Sequence, residues 1–538
     1  MKLRHLFTSI LLIGLISISF AQKSNELLCK VLDFETKDPV SFATVRFDGV
    51  QNGVIADEDG EFRLPLEYKS SIRTIIVSSI GFETQNISVG ILKENIINTI
   101  YLKPKVEALS AVVLTGKVNS DANIKNLSAK TIIKNAIGRI PTNYPSSPHS
   151  YISYYRDYQL INNNYYNLNE AILESFDAGF NTNKYAFKDN ATALYSYSLN
   201  KEFYQDALLL NSVYGKSKTI SGNNTAKLGT DIQNELEILN IHNPIRNFNK
   251  SSFSFIYVFR DDFVNNHLFK LLSVKYIEDV PLYEIQFVTR EDSNMRYMGA
   301  GKIYISKSKY AIHRLEYSVF LNKNFRSTRS QDNPFGNLTK KPKNTLFEVT
   351  VEYKSVGDKM FLNYMTFNNF FVIKEPNPFK VEDFDFNPND KCFYITFNKP
   401  VDKETIKRKS NFKLRYQDKK LIVTDILLSD EKTVKIEVVD WSAGHSKDVN
   451  TVVSTDFSYK LKKIKDTYGT LINKESRLMG YQFRELFTQE VFESKALEDN
   501  LIYVNKTLPL SATRVNSSNL NIDKYWVNSP LKKTKGTR

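Results

Sequence analysis

For much of its length this chain alternates apolar and polar residues in short runs. In "PLYEIQFVT", "GKIYIS", "YAIHRLEYSVF", "TLFEVTVEYKS" and "KMFLNYMTF" the apolar positions follow a period of two, which suits a strand with one buried face. Short turns separate the runs, so Tyr151 to Phe371 is expected to form a meandering antiparallel sheet. Two stretches change period. In "NLSAKTIIKNAIGRIPTNYP" the residues Ile133, Ala136, Ile137 and Ile140 fall on one helical face, with Ser128 as N-cap, Arg139 in the last turn and Pro141 as the stop. "DIQNELEIL", from Asp231 to Leu239, predicts a further helix ahead of Pro244. A central α+β unit is therefore expected over residues 128–375.

Ahead of it, turn residues come more closely spaced. "GVIADEDGEFRLP", Gly53 to Pro65, has the acidic look of a calcium loop, but aligning Gly60 with the loop glycine puts Ile55 and Leu66 at the first and last ligand positions. Neither can bind a metal. The stretch is expected instead to be a hairpin turn between a strand ending at Val54 and Ile55 and one starting at Phe62 and Leu64. Cys29, in "LLCKVL", is in phase with Leu27 and Val31 and is expected to be a buried thiol. Cys392 is placed in another domain, so two free thiols are expected rather than a disulfide.

The turn "ADEDGEF" belongs to a longer pattern. Asp38, Pro39, the "FATV" of Phe42 to Val45, Asp57 to Phe62, and Ser79, Ile80, Gly81 and Phe82 together resemble the carboxypeptidase regulatory-like domain, a transthyretin-like β-sandwich found in exported proteins of Bacteroidetes-type bacteria. "VVLTGK" resembles the exit from that domain in TonB-dependent receptors. The resemblance covers residues 23 to about 117 and implies a fold and a compartment, without chemistry. The sandwich is placed at 22–104 and a connector at 105–127. The first central helix, the "YYRDY" strand and "GKIYISKSKYAIHRLEYSV" resemble Bacteroidetes envelope proteins that carry this domain in front, and the strand run also resembles the half-barrel of lipoprotein carriers.

Residues 376–474 read as an insert. Phe397, Pro400, Val401 and Asp402, with Asp466 and Gly469 near the end, resemble a bacterial Ig-like domain of the S-layer type, a fold that serves many functions. "YQFRELFTQEV" is expected to return to the central sheet within 475–538, which ends in the basic "LKKTKGTR". The whole is expected to be mainly β: an N-terminal β-sandwich, a central α+β antiparallel-sheet domain and an Ig-like β-sandwich insert.

Composition agrees with this reading. Of the 538 residues 13% are aromatic, including 36 Phe and 30 Tyr, which favours pleated surfaces, and the length calls for several cores. Lys2 and Arg4 precede an apolar run from Leu6 to Phe20, and Ser19 and Ala21 are small, so residues 1–21 read as a signal peptide cleaved after Ala21. The run is too short to span a membrane comfortably, and no later segment reaches the ~20 apolar residues a spanning helix needs. The formal charge of +14 drops by two when Lys2 and Arg4 leave. Its lysines are spread along the chain, as on a solvated surface, and in an exported protein they face lipid headgroups or glycans rather than nucleic acid.

Candidate chemistry is sparse. His313 and Glu316 form H-x-x-E, with His445 about 130 residues on, a zinc-peptidase-like set of three ligands. On a strand, however, residues three apart point to opposite faces. His149, His242 and His267 lack metal spacing, Asp261, Asp262, Glu170 and Glu174 read as surface acids, and no nucleophile elbow or phosphate loop occurs. The expectation is an exported protein of the periplasm or outer membrane that binds or scaffolds an envelope protein, glycan or lipid. No catalytic, cofactor or metal residues are assigned. A lipid or lipoprotein carrier and an envelope hydrolase are the alternatives: an apolar cavity lined by the Tyr151 to Phe371 strands would favour the first, and a cleft with converging His or acidic groups the second.

Overall fold

A computed structural model describes residues 26–49, 53–72, 74–108, 128–182, 190–207, 209, 234–250, 258–291, 297–321, 345–374, 378–387, 389–390, 392–417, 419–439, 452–474, 477–517 and 520–531. The leader expected at 1–21, His445 and residues 532–538 of the basic tail lie outside them.

The first unit contains strands β1 (Glu26–Asp33), β2 (Thr44–Phe47), β3 (Gly53–Ile55), β4 (Glu61–Pro65), β5 (Thr74–Ser78), β6 (Gln85–Ser88) and β7 (Ile97–Leu102). Sheets β4-β1-β7 and β3-β2-β5-β6 enclose Leu27, Cys29, Val31, Val45, Phe62 and Val77. The expected hairpin at Gly53–Pro65 is corrected here. β3 pairs with β2 and β4 pairs with β1, so the turn at Asp57–Gly60 is a corner that carries the chain from one sheet to the other. The Asp57 carboxylate accepts the backbone N–H groups of Asp59 (3.0 Å) and Glu61 (2.8 Å). Gly60 has φ 73°, and a Cβ there would lie 2.5 Å from the Val31 carbonyl oxygen. Cys29 and Cys392 are both free and buried.

Among the described residues the central sheet has eleven strands. They are β8 (Val106–Ala108), β9 (His149–Ile161), β10 (Asn164–Asp177), β11 (Asn190–Leu199), β12 (His267–Ile277), β13 (Val280–Thr289), β14 (Tyr297–Ser306), β15 (Ile312–Leu321), β16 (Thr345–Val356), β17 (Lys359–Lys374) and a late strand, Arg477–Phe492, in the order β11-β10-β9-late strand-β17-β16-β15-β14-β13-β12-β8. The late strand is central rather than at an edge, pairing with both β9 and β17. Three helices, Ala129–Gly138, Glu235–Ile241 and Phe259–Asn266, pack on one face through Ile133, Ile137, Leu239 and Phe263, against Leu315, Tyr317, Val349 and Phe367 of the sheet. Ser128 caps the first by accepting the Thr131 N–H at 3.2 Å. The helix ends at Gly138, ahead of Pro141, which lies at the start of a short helical turn at Ile140–Asn143. The second helix starts at Asn234, whose side chain caps it, and the third carries no signal used above.

The third unit comprises β18 (Val381–Asn387), β19 (Cys392–Phe397), β20 (Phe412–Tyr416), β21 (Lys419–Lys420), β22 (Val423–Leu428), β23 (Thr433–Val438) and β24 (Phe457–Leu461), and the late strand is accordingly β25. Its sheets β18-β19-β23-β22 and β21-β20-β24 face each other across their own core of Phe393, Ile395, Leu414 and Ile436.

The segment after β25 straps the units together. Val504 N–H donates to Thr192 O (2.8 Å) and Asn516 N–H to Leu194 O (2.8 Å), covering the β11 edge. Asn528 then bridges the domains. Its amide donates to Ile55 O (3.0 Å) and accepts Arg63 N–H (2.9 Å), while its carbonyl accepts from Arg156 (3.1 Å).

Candidate functional site

Over β13 to β17 the face of the central sheet away from the helices is largely polar because of strand alternation. On β15, Leu315, Tyr317 and Val319 enter the helix-side core, so Arg314, Glu316 and Ser318 point the other way. The pairing register extends this across the sheet. Gln286 stands opposite Lys302, Lys302 opposite Glu316, Glu316 opposite Thr350, and Thr350 opposite Thr366. The next row runs Ala300, Ser318, Glu348, Asn368 and Phe483.

The N-terminal sandwich sits over part of this face. Phe42 stacks on Tyr364 with ring centroids 5.0 Å apart, the Asn363 amide donates to Thr44 Oγ1 at 3.1 Å, and Arg46 pairs with Glu278 at 2.5 Å. Between the sandwich and the sheet lies a cleft of about 380 Å³, with Phe42 and Glu58 on one side and the two polar rows as its floor. Its charged groups are organised. Lys302 Nζ donates to Glu284 (2.8 Å), Arg314 pairs with Glu316 (3.1 Å), and Ser318 Oγ donates to Glu348 (2.9 Å). Burial works against the Glu284 charge, but the hydrogen bonds from Lys302 and Ser273 prevail and hold the carboxyl below its ordinary range.

Beside the cleft the interface is buried and charged. Arg156 and Glu485, both fully buried and opposite each other on β9 and β25, pair at 2.5 Å. Removing one partner would strand a charge, so the pair enforces this packing even where its net contribution is small. Glu170 and Glu174, read above as surface acids, are buried and saturated. Glu170 accepts from Tyr154 (2.5 Å), Ser529 (2.7 Å) and Asn200 (2.8 Å), and Glu174 from Ser150 (2.5 Å), Tyr195 (2.8 Å) and Lys495. They face the sandwich side because the period of two returns both to the same face, which acidity alone did not reveal. Asp261 is exposed and paired with Arg260, whereas Asp262 accepts the Val258 N–H.

The histidines are dispersed. His149 contacts Ser147 O, His242 Ile238 O and His267 Phe263 O, in three different places. His313 is buried on β15 at a register irregularity, and Glu316 of the H-x-x-E pair is committed to Arg314 in the cleft floor. Among the described residues, no group of three or more His, Cys, Asp or Glu could hold a metal ion.

The cleft residues other than Glu316 escaped the sequence reading. Their signal was present as polar positions inside "GKIYIS", "HRLEYSV" and "TLFEVTVEYK", but which of them meet depends on register. Among the described residues, a hollow of about 30 Å³ lies on the helix side beside Tyr151, Leu362 and Leu486.

A mainly-β chain with a sandwich seated on a large antiparallel sheet is the class that this geometry defines. Residues 29–114 match the family model of the CarboxypepD_reg-like domain, a non-catalytic β-sandwich. The match covers the first sandwich and the segment leading out of it. No curated protein matches the chain. No helix among the described residues is long and apolar enough to cross a membrane, which leaves membrane β-barrels unaddressed.

Proposed function

We propose that this is an exported, non-enzymatic cell-envelope protein of the Bacteroidetes type that binds a polar envelope component in the cleft between its sandwich and its central sheet. The observation that carries the reading is the make-up of the walls: a domain of a non-catalytic family closes over a row of carboxylates, amides and hydroxyls already oriented by one another. The leader-like residues 1–21 support export, and the unit read as Ig-like at 376–474 would act as a spacer.

The convergence of Glu58, Glu316 and Glu348 on one cleft supports a hydrolase as the second reading. A lipid carrier has less support, because among the described residues helices and side chains pack on the apolar face. The test uses purified residues 22–538 with isolated envelope fractions, after mass spectrometry has established whether the cellular protein begins at Gln22. Saturable binding that weakens at least about fivefold in Glu348→Gln and Asn368→Leu is expected. Equal binding by the variants would refute the cleft, and release of soluble fragments from the envelope would favour the hydrolase.

A further inference from the structure

We infer that the N-terminal sandwich is a hinged cover over the cleft, and that residues 525–531 of the strap are the latch that holds it shut. The inference concerns how the cleft opens and is independent of what binds there.

The sandwich is attached at two places far apart in the strand order of the central sheet. The pivot is at β12. Here β8, which continues the chain out of the sandwich, pairs with Ser273–Lys275. Gly81 N–H donates to Tyr276 O (2.7 Å) and Lys105 N–H to Gly81 O (2.7 Å), while Arg46 and Lys105 reach Glu278 and Asp279, just past the end of β12. The second attachment is on β10, β9 and β25, and the polar rows of the cleft run over β13 to β17 between the two. A body held at one side by its own exit strand and at the other by a separate segment can swing once that segment lets go.

That separate segment is tied to both partners. Towards the sandwich, Asn528 bonds Ile55 O and Arg63 N–H, and the Arg63 guanidinium donates to Ser529 O (2.7 Å) and Pro530 O (2.9 Å). Towards the sheet, Trp526 N–H donates to Gln489 (2.8 Å), whose amide donates back to Trp526 O (2.5 Å), Ser529 Oγ donates to Glu170, and Arg156 donates to Asn528 O. Its apolar side chains do the same. Trp526 packs on the sandwich core, and Tyr525 and Val527 complete the seam in which Ile55 and Phe42 meet Tyr154, Tyr364 and Phe487.

The closed seam is one that water can part. Much of the latch is held by hydrogen bonds, whose net contribution is small because water replaces them. Among the described residues, Arg156 Nη2, Glu485 Oε1 and Trp526 Nε1 are buried without a hydrogen bond, so hydration on opening offsets part of the cost of separation. Phe42 and Glu58 belong to the sandwich and leave with it, which uncovers the polar rows to a ligand larger than the closed space of about 380 Å³.

The experiment measures the spread of distances between sandwich and sheet by pulsed electron paramagnetic resonance. Nitroxides go on Ser70→Cys and Lys201→Cys of residues 22–538, both exposed positions, while the native Cys29 and Cys392 are buried. The parent should give one narrow distribution. Deleting residues 525–538 should move most of it to longer distances, and Asn528→Ala combined with Arg63→Met should add a longer population to the parent peak. Asn363→Leu, which cuts a direct contact between sheet and sandwich with the latch in place, should keep the parent distribution. Circular dichroism establishes that each variant is folded, and if the deletion is not, the double variant decides alone. A broad distribution in the parent, folded latch variants that all keep the parent peak, or an Asn363→Leu chain as open as the latch variants would each overturn the latch.

Discussion

Asp57 shows how a residue read as turn chemistry acquires a second property from its surroundings. Burial pushes its carboxyl up to about 7, against the opposing pull of Arg156 and of the Glu61 N–H. An unfolded Asp titrates near about 3.9. Between those values the folded chain holds a proton that the unfolded chain has lost, so Asp57 makes stability fall as pH rises through the window. Asp57→Asn keeps an oxygen for the two turn N–H groups but cannot ionise. Its stability relative to the parent should therefore rise between pH 4.5 and 7.5, by no more than about 4 kcal/mol. Urea midpoints at the two pH values check this, and an equal difference at both would mean that Asp57 does not titrate there. The comparison must be a difference because the buried histidines act in the opposite direction. Burial lowers His242 to about 3 and His267 and His313 to about 4, so the unfolded chain takes up those protons first as pH falls below about 6.5 and stability drops. Sequence placed Asp57 in a turn. It contained no hint that Arg156, remote along the chain, would lie close enough to act on it.

At the scale of elements, alternation served well for β13 through β17, where one face meets helices and the other meets polar groups. It failed at Gly53–Pro65, since a corner between sheets and a hairpin use the same turn residues and differ only in which strands they pair with. The helix Phe259–Asn266 was missed for a local reason: "FRDDFVNN" buries only Phe259 and Phe263, too few apolar positions to establish a period. Gly301 offers a test of the cleft floor. A Cβ there would stand 1.9 Å from the Glu316 carbonyl oxygen, within the β14–β15 ladder that aligns Lys302 with Glu316. Gly301→Ala is expected to destabilise the protein by about 1–3 kcal/mol and to weaken ligand binding with it. Chemical denaturation measures the first effect. A variant as stable as the parent would show that the two strands separate at little cost.

Among the described residues, three main cores are joined by a returning strand and a strap. The chain leaves the central sheet at β17 and comes back on β25, with Lys374 and Arg477 opposite each other in the ladder. Two adjacent strand ends can be joined by a short loop, so replacing residues 376–474 with a Gly/Ser linker should leave the rest folded. Contacts that the excision removes include Tyr468 with Asp206 and the Tyr166–Tyr468 ring pair at 5.6 Å. The separate segment has its own two-sheet core and should unfold cooperatively. Circular dichroism melts of both pieces decide the matter. A disordered segment, or a collapsed remainder, would show that these cores depend on each other. Local patterning alone determined the strand-rich character, the capped helix at Ser128 and the buried Cys29, because each depends on residues a few positions apart. The cleft was decided by tertiary structure. Phe42, Lys302, Glu348 and Asn368 come from the sandwich, β14, β16 and β17, and a slip of one residue in any of those strands would turn its side chains to the opposite face. Register and domain docking are set by packing over the whole sheet, which no single run of residues contains.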